Sequence, residues 1–365
     1  MSVIQIDRRL VANFDLFLFL LVLALNVVGI VNLTSAAAVE GLWKAQAYWL
    51  LIGFGLLFTT VVIDFKKFEP LSPFLYLGTL GLCIGVHFLG RRISGAMSWY
   101  AFGPVHFQPS ETMKLALILI IARIYQHDSH LRTWGFRELL LPGVIIGAPV
   151  LSILLEPDAG TALIIMLMAG SMVLFAGVKR KIIVVAAVAV ALSIYPVWHW
   201  GLKPHQKNRI LTFMHPEQDP LGTGYNAMQS KIAIGSGGLT GKGYKKGPMS
   251  LLRFLPEQKT DFVFSVWAEE WGFVFVAGVL LLYLLVVFRG LQAARGARDR
   301  FGVMVAFGCS MLIFWHVFVN IAMVVGLFPV IGVPLPFLSY GGSNLMTFMV
   351  CIGLILNVGM RKYFF

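Results

Sequence analysis

Charge is scarce in this chain. Only 13% of its 365 residues are Asp, Glu, Lys or Arg, whereas 58% are hydrophobic and the mean hydropathy is +0.82. That balance excludes an ordinary soluble globular domain and marks an integral membrane protein. Cysteine is almost absent: Cys83, Cys309 and Cys351 all fall in apolar runs, so neither a disulfide framework nor a thiolate metal centre is suggested. The eight histidines show no metal-ligand spacing and read as polar-tipped packing residues. A cleavable signal peptide is missing too, because the run after Arg8 and Arg9 is too long and lacks a small-residue cleavage site. No low-complexity tract and no clear internal repeat is visible, so the inverted symmetry common in transporters has no evident counterpart. Nothing points to a nucleic-acid partner.

What the chain has is apolar runs of about 17 to 25 residues, the length of a helix that crosses a bilayer. They fall at about 14–34, 47–64, 72–90, 110–126, 139–155, 160–178, 182–200, 262–289, 301–326 and 340–360. The expected fold is an all-α membrane protein, a polytopic bundle of about ten transmembrane helices forming one integral membrane domain over 1–365. A large extracytoplasmic loop, 201–261, separates spans 7 and 8. The division between 139–155 and 160–178 rests on Glu156-Pro157-Asp158-Ala159 alone; one bent helix there would put the termini on opposite sides.

Lys and Arg in short loops orient the bundle. Ten spans put sixteen of them on the N-terminal side, among them Arg8, Arg9, Lys66, Lys67, Lys179, Arg180, Lys181, Arg361 and Lys362; the short loops opposite carry Lys44, Arg91 and Arg92. Both termini are therefore expected in the cytoplasm and the 201–261 loop outside. That loop carries nine basic and four acidic residues, and its charge does not count against the assignment because long translocated segments escape the bias.

Four polar clusters gather at the outer surface. In GAMSWYAFGPVHFQPSETMK (Gly95 to Lys114), aromatic residues suited to the membrane interface lead into a helix where Glu111 and Lys114, three apart, face one another and neutralise charge at membrane depth. In Glu156-Pro157-Asp158-Ala159-Gly160-Thr161, Asp158 is placed to cap the next helix. The long loop offers Lys203, Lys207, Arg209, Lys231, Lys242, Lys245 and Lys246 for phosphate, with lipid headgroups as the unspecific alternative. Its glycines at 235, 237, 238, 241 and 243 do not make a nucleotide-binding loop, since Lys242 is followed by Gly243 and no strand-to-helix unit surrounds it; they suit a backbone that bends closely around a ligand or a neighbouring loop. The loop closes on Thr260-Asp261, where a carboxylate at a helix N-terminus could be a cap or a reactive group. In NIAMVVGLFPVIGVPLPFLSYGGSN (Asn320 to Asn344), Pro329, Pro334 and Pro336 prevent a helix, and backbone of that kind must be buried in protein or line a wet cavity. Tyr340 and Ser343 are its candidate hydrogen bonders.

These clusters, together with EPDAGTA, DPLGTGYNAMQSKIAIGSGGLTGKG and FLPEQKTDFVFSVWAEEWG, resemble the SEDS family of bacterial cell-wall polymerases, the RodA/FtsW/SpoVE proteins. The resemblance runs through nearly the whole chain and favours the elongation branch over the division and sporulation branches. It implies a peptidoglycan glycosyltransferase of the bacterial cytoplasmic membrane, polymerising lipid II at the outer face and releasing undecaprenyl pyrophosphate. By motif match, Asp261 is the catalytic residue, as general base or as ligand of a divalent cation, Mg or Mn, held against the pyrophosphate. Glu111, Lys114, Asp158, Arg209, Lys242 and Ser343 are implied substrate-binding or cavity-lining residues. A class B penicillin-binding transpeptidase and other elongation-complex membrane proteins are the implied partners. Four positions depart from the family pattern: Ser98 stands where Arg is frequent, Glu156 for Gln, Lys259 for His and Ala322 for Gly. A lipid II flippase would use the same basic residues and apolar surface but needs a cavity passable from both sides; a scaffold needs only its partner.

Overall fold

The computed structural model describes residues 13–36, 41–93, 96–103, 105–127, 133–201, 204–215, 223–252, 254 and 257–363. Gly95, Lys203, Glu217, Asp219, and the Pro216–Gly222 part of the long-loop motif lie outside the described residues. Each of the ten expected spans corresponds to a helix: α1 (Leu16–Ala36), α2 (Leu42–Val62), α3 (Phe68–Leu89), α4 (Pro109–His127), α5 (Leu140–Leu155), α6 (Ala159–Gly177), α7 (Arg180–Pro196), then, after the long loop, α11 (Val263–Gly296), α12 (Arg300–Val324) and α13 (Gly342–Met360). Eight segments among the described residues are long and apolar enough to cross a membrane; α5 is shorter, and α4 falls outside the eight while carrying Glu111, Lys114 and Arg123. The chain breaks between α5 and α6, as expected from Glu156 to Asp158, so these are two helices.

The long loop is not irregular. It folds into α8 (Pro204–Met214), α9 (Thr223–Ser236) and the single turn α10 (Pro248–Leu251). A further element not foreseen from sequence is a small antiparallel sheet, β1 (Arg91–Ile93), β2 (Ala96–Phe102) and β3 (Val105–Phe107), with Tyr100 paired to Phe107. The stretch read as an interfacial aromatic segment thus pairs its own backbone, and the Tyr100 hydroxyl donates to the Leu82 carbonyl at 3.0 Å. Paired backbone is what lets an extended segment sit at the edge of a bilayer.

Burial shows which helices are central. Every residue of α4 from Leu117 to Ala122 is buried, and α13 buries most of its length against α2, α12 and α11. No residue of α7 is buried, which makes it a peripheral, lipid-facing helix. Two buried amides inside the bundle donate to backbone: Asn32 to the Val263 carbonyl at 2.7 Å, and Asn357 to the carbonyls of Thr60 and Ile63. Leaving such amides unpaired in an apolar interior costs a few kcal/mol each.

Contacts sort the connections into two ends. At one, Lys66 pairs with Asp299 (3.5 Å), Arg361 with Asp64 (3.6 Å), Arg289 with Asp15 (2.6 Å), and Trp134 bridges to Val178. At the other lie the sheet, the α5–α6 turn, the segment 257–262 and the non-helical stretch between α12 and α13. This alternation is what ten crossings require. It also places Asp15 and Arg361, next to the first and last helices, at the same end.

Candidate active site

The site forms where three loops meet. Prolines 329, 334 and 336 leave the α12–α13 connection without a helical ladder, and its carbonyls are held by side chains instead. Asn320 donates to the Val333 carbonyl (2.6 Å), His316 faces the Pro334 carbonyl (3.3 Å), and Tyr283 donates to that of Pro336. The connection in turn holds the segment before α11. Ser339 donates to the Thr260 carbonyl at 2.5 Å and Tyr340 N–H to that of Lys259 at 2.9 Å, while Asn320 also donates to the Asp261 carbonyl at 2.9 Å. The backbone around Asp261 is therefore fixed from two elements distant in sequence.

The Asp261 side chain lies against Gly332, where an added Cβ would sit 3.3 Å from its Oδ2. Phe262 N-caps α11 without a side-chain cap, so the carboxylate is a neighbour of the helix start rather than its cap. Burial pushes its pKa up to about 7; the negative charges of Glu257 and Asp158 act the same way, opposed by the Thr260 hydroxyl and the Arg209 guanidinium. A carboxyl that titrates near neutrality can exchange a proton at the working pH of most enzymes.

Asp158 caps α6 as anticipated: its Oδ1 accepts from Thr161 N–H at 3.0 Å. Its other oxygen accepts from the Gln108 amide at 3.2 Å. Ser343 supports Gln108 in turn, accepting from its N–H at 3.4 Å and donating to the His106 carbonyl at 3.1 Å. Beside Asp158, Glu156 is buried with its Oε1 lacking a partner, and burial pushes its pKa up to about 7, with Ser98 opposing and Asp158 reinforcing the rise. Two of the family departures, Ser98 and Glu156, thus meet. Arg209 on α8 and Lys231 on α9 border one small cleft together with Gly326 and Phe328. Lys231 lies across Gly326, whose φ of 76° and missing side chain make the close approach tolerable.

Three expected residues take other places. Lys242 pairs with the buried Glu269 at 2.9 Å and is tied to α11 through its own N–H, so it holds the loop to the helix and is not among the groups around Asp261. The glycines near it serve this close approach: an added Cβ at Gly241 would lie 2.1 Å from the Glu270 carbonyl and one at Gly237 2.1 Å from that of Ala268. They bend around a neighbouring helix, which itself breaks at Gly272 (φ 73°, ψ −174°) to admit them. Glu111 and Lys114 form the expected pair, 2.7 Å apart, but both are buried and line no open surface. Lys114 lies 3.0 Å from His316 Nε2, so this histidine is more than the packing residue expected from sequence. Of the other loop lysines, Lys207 donates to the His199 carbonyl and Lys245 lies over the Tyr244 ring.

Residues 8–363 match the model of the FtsW/RodA/SpoVE cell cycle proteins. The chain belongs to this family. It is 39% identical to the peptidoglycan glycosyltransferase MrdB of Escherichia coli K12, over 96% of this chain and 94% of that protein. It is 30% identical to the peptidoglycan glycosyltransferase RodA of Treponema pallidum strain Nichols, over 97% and 99%. Among solved structures it resembles a chain of a peptidoglycan synthase complex that coordinates polymerization and crosslinking, with a TM-score of 0.84 and 33% identity over 96% of this chain and 99% of that one. It also resembles the rod shape determining protein RodA of Thermus thermophilus, with a TM-score of 0.72 and 31% identity over 96% and 98%.

Among the described residues no group of three or more His, Cys, Asp and Glu is arranged to hold a metal ion. The site offers what Mg²⁺ commonly accepts, one carboxylate completed by substrate phosphate and water. Asp261 is the residue that fits this use.

Proposed function

We propose that this family member is an elongation-type peptidoglycan glycosyltransferase that joins lipid II units at the outer face of the bacterial cytoplasmic membrane, with both termini cytoplasmic. The observation that carries the reading is a titratable carboxylate, Asp261, fixed at one end of the bundle beside the cationic cleft of Arg209 and Lys231. The basic residues concentrated at the opposite end support the orientation.

In the reaction the 4-hydroxyl of the acceptor GlcNAc attacks the anomeric carbon of the donor MurNAc. The C1–O bond to the diphosphate breaks and its electron pair leaves on undecaprenyl pyrophosphate, while the hydroxyl proton passes to the Asp261 carboxylate. A positioned base contributes about 10² to 10⁴-fold. Arg209 and Lys231 supply charge for the departing diphosphate, and Gln108, held by Ser343, keeps its amide on Asp158. In the alternative role, with Asp261 as its ligand, a divalent cation, Mg or Mn, would stabilise the leaving diphosphate as a Lewis acid.

A flippase is less well supported. Below the site α4 buries apolar side chains, Leu117, Ile118 and Ile121, where a hydrophilic path through the bundle would need polar ones. A partner transpeptidase of the penicillin-binding class has an apolar, lipid-facing groove between α11 and α12 in which to seat its membrane helix, bordered by Tyr283, Leu284, Phe314, Phe318 and Phe328. The test is purified protein given fluorescent lipid II, with and without the cognate transpeptidase. Glycan ladders digestible by a muramidase support the reading; transbilayer movement of lipid II without polymer would replace it by the flippase.

A further inference from the structure

We propose that His316 is a positioning residue for the polymerisation reaction, linking the buried Glu111–Lys114 pair to the loop that sets Asp261. This rests on the reading above and adds a residue to it.

The geometry runs through four contacts. Glu111 Oε1 accepts from Lys114 Nζ at 2.7 Å, and Lys114 Nζ lies 3.0 Å from His316 Nε2. An ammonium has only donors, so Nε2 must present its lone pair, and the ring proton sits on Nδ1. That proton points at the Pro334 carbonyl, 3.3 Å away. The ring is wedged edge-on against Phe348, with centroids 5.0 Å apart and planes at 87°, and the residue is buried, which leaves it little rotational choice.

One helical turn further along α12, on the same face, Asn320 grips the carbonyls of Val333 and Asp261. His316 and Asn320 therefore hold adjacent carbonyls of one proline-containing loop, and that loop carries Gly332 against the Asp261 carboxylate. A buried lysine that loses its acceptor must reorient or give up its charge. A change at Lys114 is accordingly felt at Pro334 through one imidazole. This accounts for a costly ion pair that lines no opening yet lies beneath the reactive end.

The test compares His316→Gln and His316→Leu in purified protein. Gln keeps an acceptor for Lys114 and a donor for Pro334; Leu keeps volume alone. Steady-state polymerisation of lipid II is measured together with hydrogen–deuterium exchange over 257–262 and 332–340. For His316→Leu we expect kcat to fall at least tenfold with KM within about twofold, and amides of both segments to exchange faster while the helices keep their protection. For His316→Gln we expect at least a third of the kcat and protection like that of the parent. The inference is overturned if folded His316→Leu keeps kcat within twofold, if both variants lose activity equally, or if exchange in the two segments is unchanged. Should His316→Leu fail to fold, His316→Gln decides alone: folded protein with less than a tenth of the activity overturns it. Exchange reads the linkage without turnover, so unsubstituted protein that makes no polymer would count against the reaction while exchange still judged His316.

Discussion

The pH dependence of polymerisation follows directly from the surroundings of Asp261. In the proposed role of general base it must be ionised, and its carboxyl titrates at about 7 because burial and the charges of Glu257 and Asp158 outweigh Arg209 and Thr260. An ordinary Asp would be fully ionised at pH 6; here the ionised share is about a tenth at pH 6 and about a hundredth at pH 5. The rate at saturating lipid II should accordingly rise with pH, about tenfold per unit below 7, and level off above 8. The neighbours provide an internal check with opposite signs. Glu257→Gln removes a repulsive charge and should move the rising limb to lower pH; Arg209→Gln removes an attractive one and should move it higher. The assay is initial rate of glycan formation in detergent between pH 5 and 9, with melting temperature recorded at each pH. A flat profile from pH 5 to 8, or a shift of both variants in one direction, would rule out Asp261 as the titrating base.

Other consequences are as concrete. Asp261→Asn should be inactive yet folded. The raised pKa means the folded state holds its proton between the unfolded value near 4 and about 7, and this stabilising preference is lost as pH rises through 7. The Asn variant should therefore melt higher than the parent at pH 8 and equally at pH 4, as thermal unfolding by intrinsic fluorescence can show. Glu156→Gln restores the residue common in the family and removes a buried carboxyl titrating near 7. It should raise stability above pH 7, by about 3 kcal/mol at most, and leave it unchanged at pH 4. Lys114→Met or Glu111→Gln alone leaves one buried charge unpaired and should cost about 3–5 kcal/mol, whereas Glu111→Leu combined with Lys114→Met should recover much of that, judged by melting temperature rather than by activity. Gly241→Ala forces a Cβ onto the Glu270 carbonyl and should cut the yield of monodisperse protein, while Gly235→Ala, with open space around it, should not.

The helical frame was legible because lipid demands long apolar runs, and the charge of the intervening loops was concentrated enough to pair them by end. Asp261 and Asp158 could be read for a related reason: carboxylates are rare here, and each interrupts an apolar context next to Pro or Thr. The sheet at 91–107 was hidden, since three short strands among glycines and aromatics carry no alternation strong enough to separate them from an interfacial coil. Lys242 misled because charge in a basic loop suggests phosphate, and nothing local says that Glu269, 27 residues on, will take it. His316 and Asn320 were passed over on their own merits. A single His or Asn in an apolar helix says nothing about its partner until α12 is packed against the proline-rich connection. The roles of Gln108 and Ser343 likewise depend on a contact between residues 235 positions apart.

The proposed reaction depends on one carboxylate, Asp261, doing chemistry at the membrane surface. Its most direct test is glycan formation from lipid II by Asp261→Asn protein, compared with the parent at pH 8 and equal amounts of monodisperse, cooperatively melting protein. Loss of at least a hundredfold with the fold intact is the result expected; polymer made at the parental rate would contradict it.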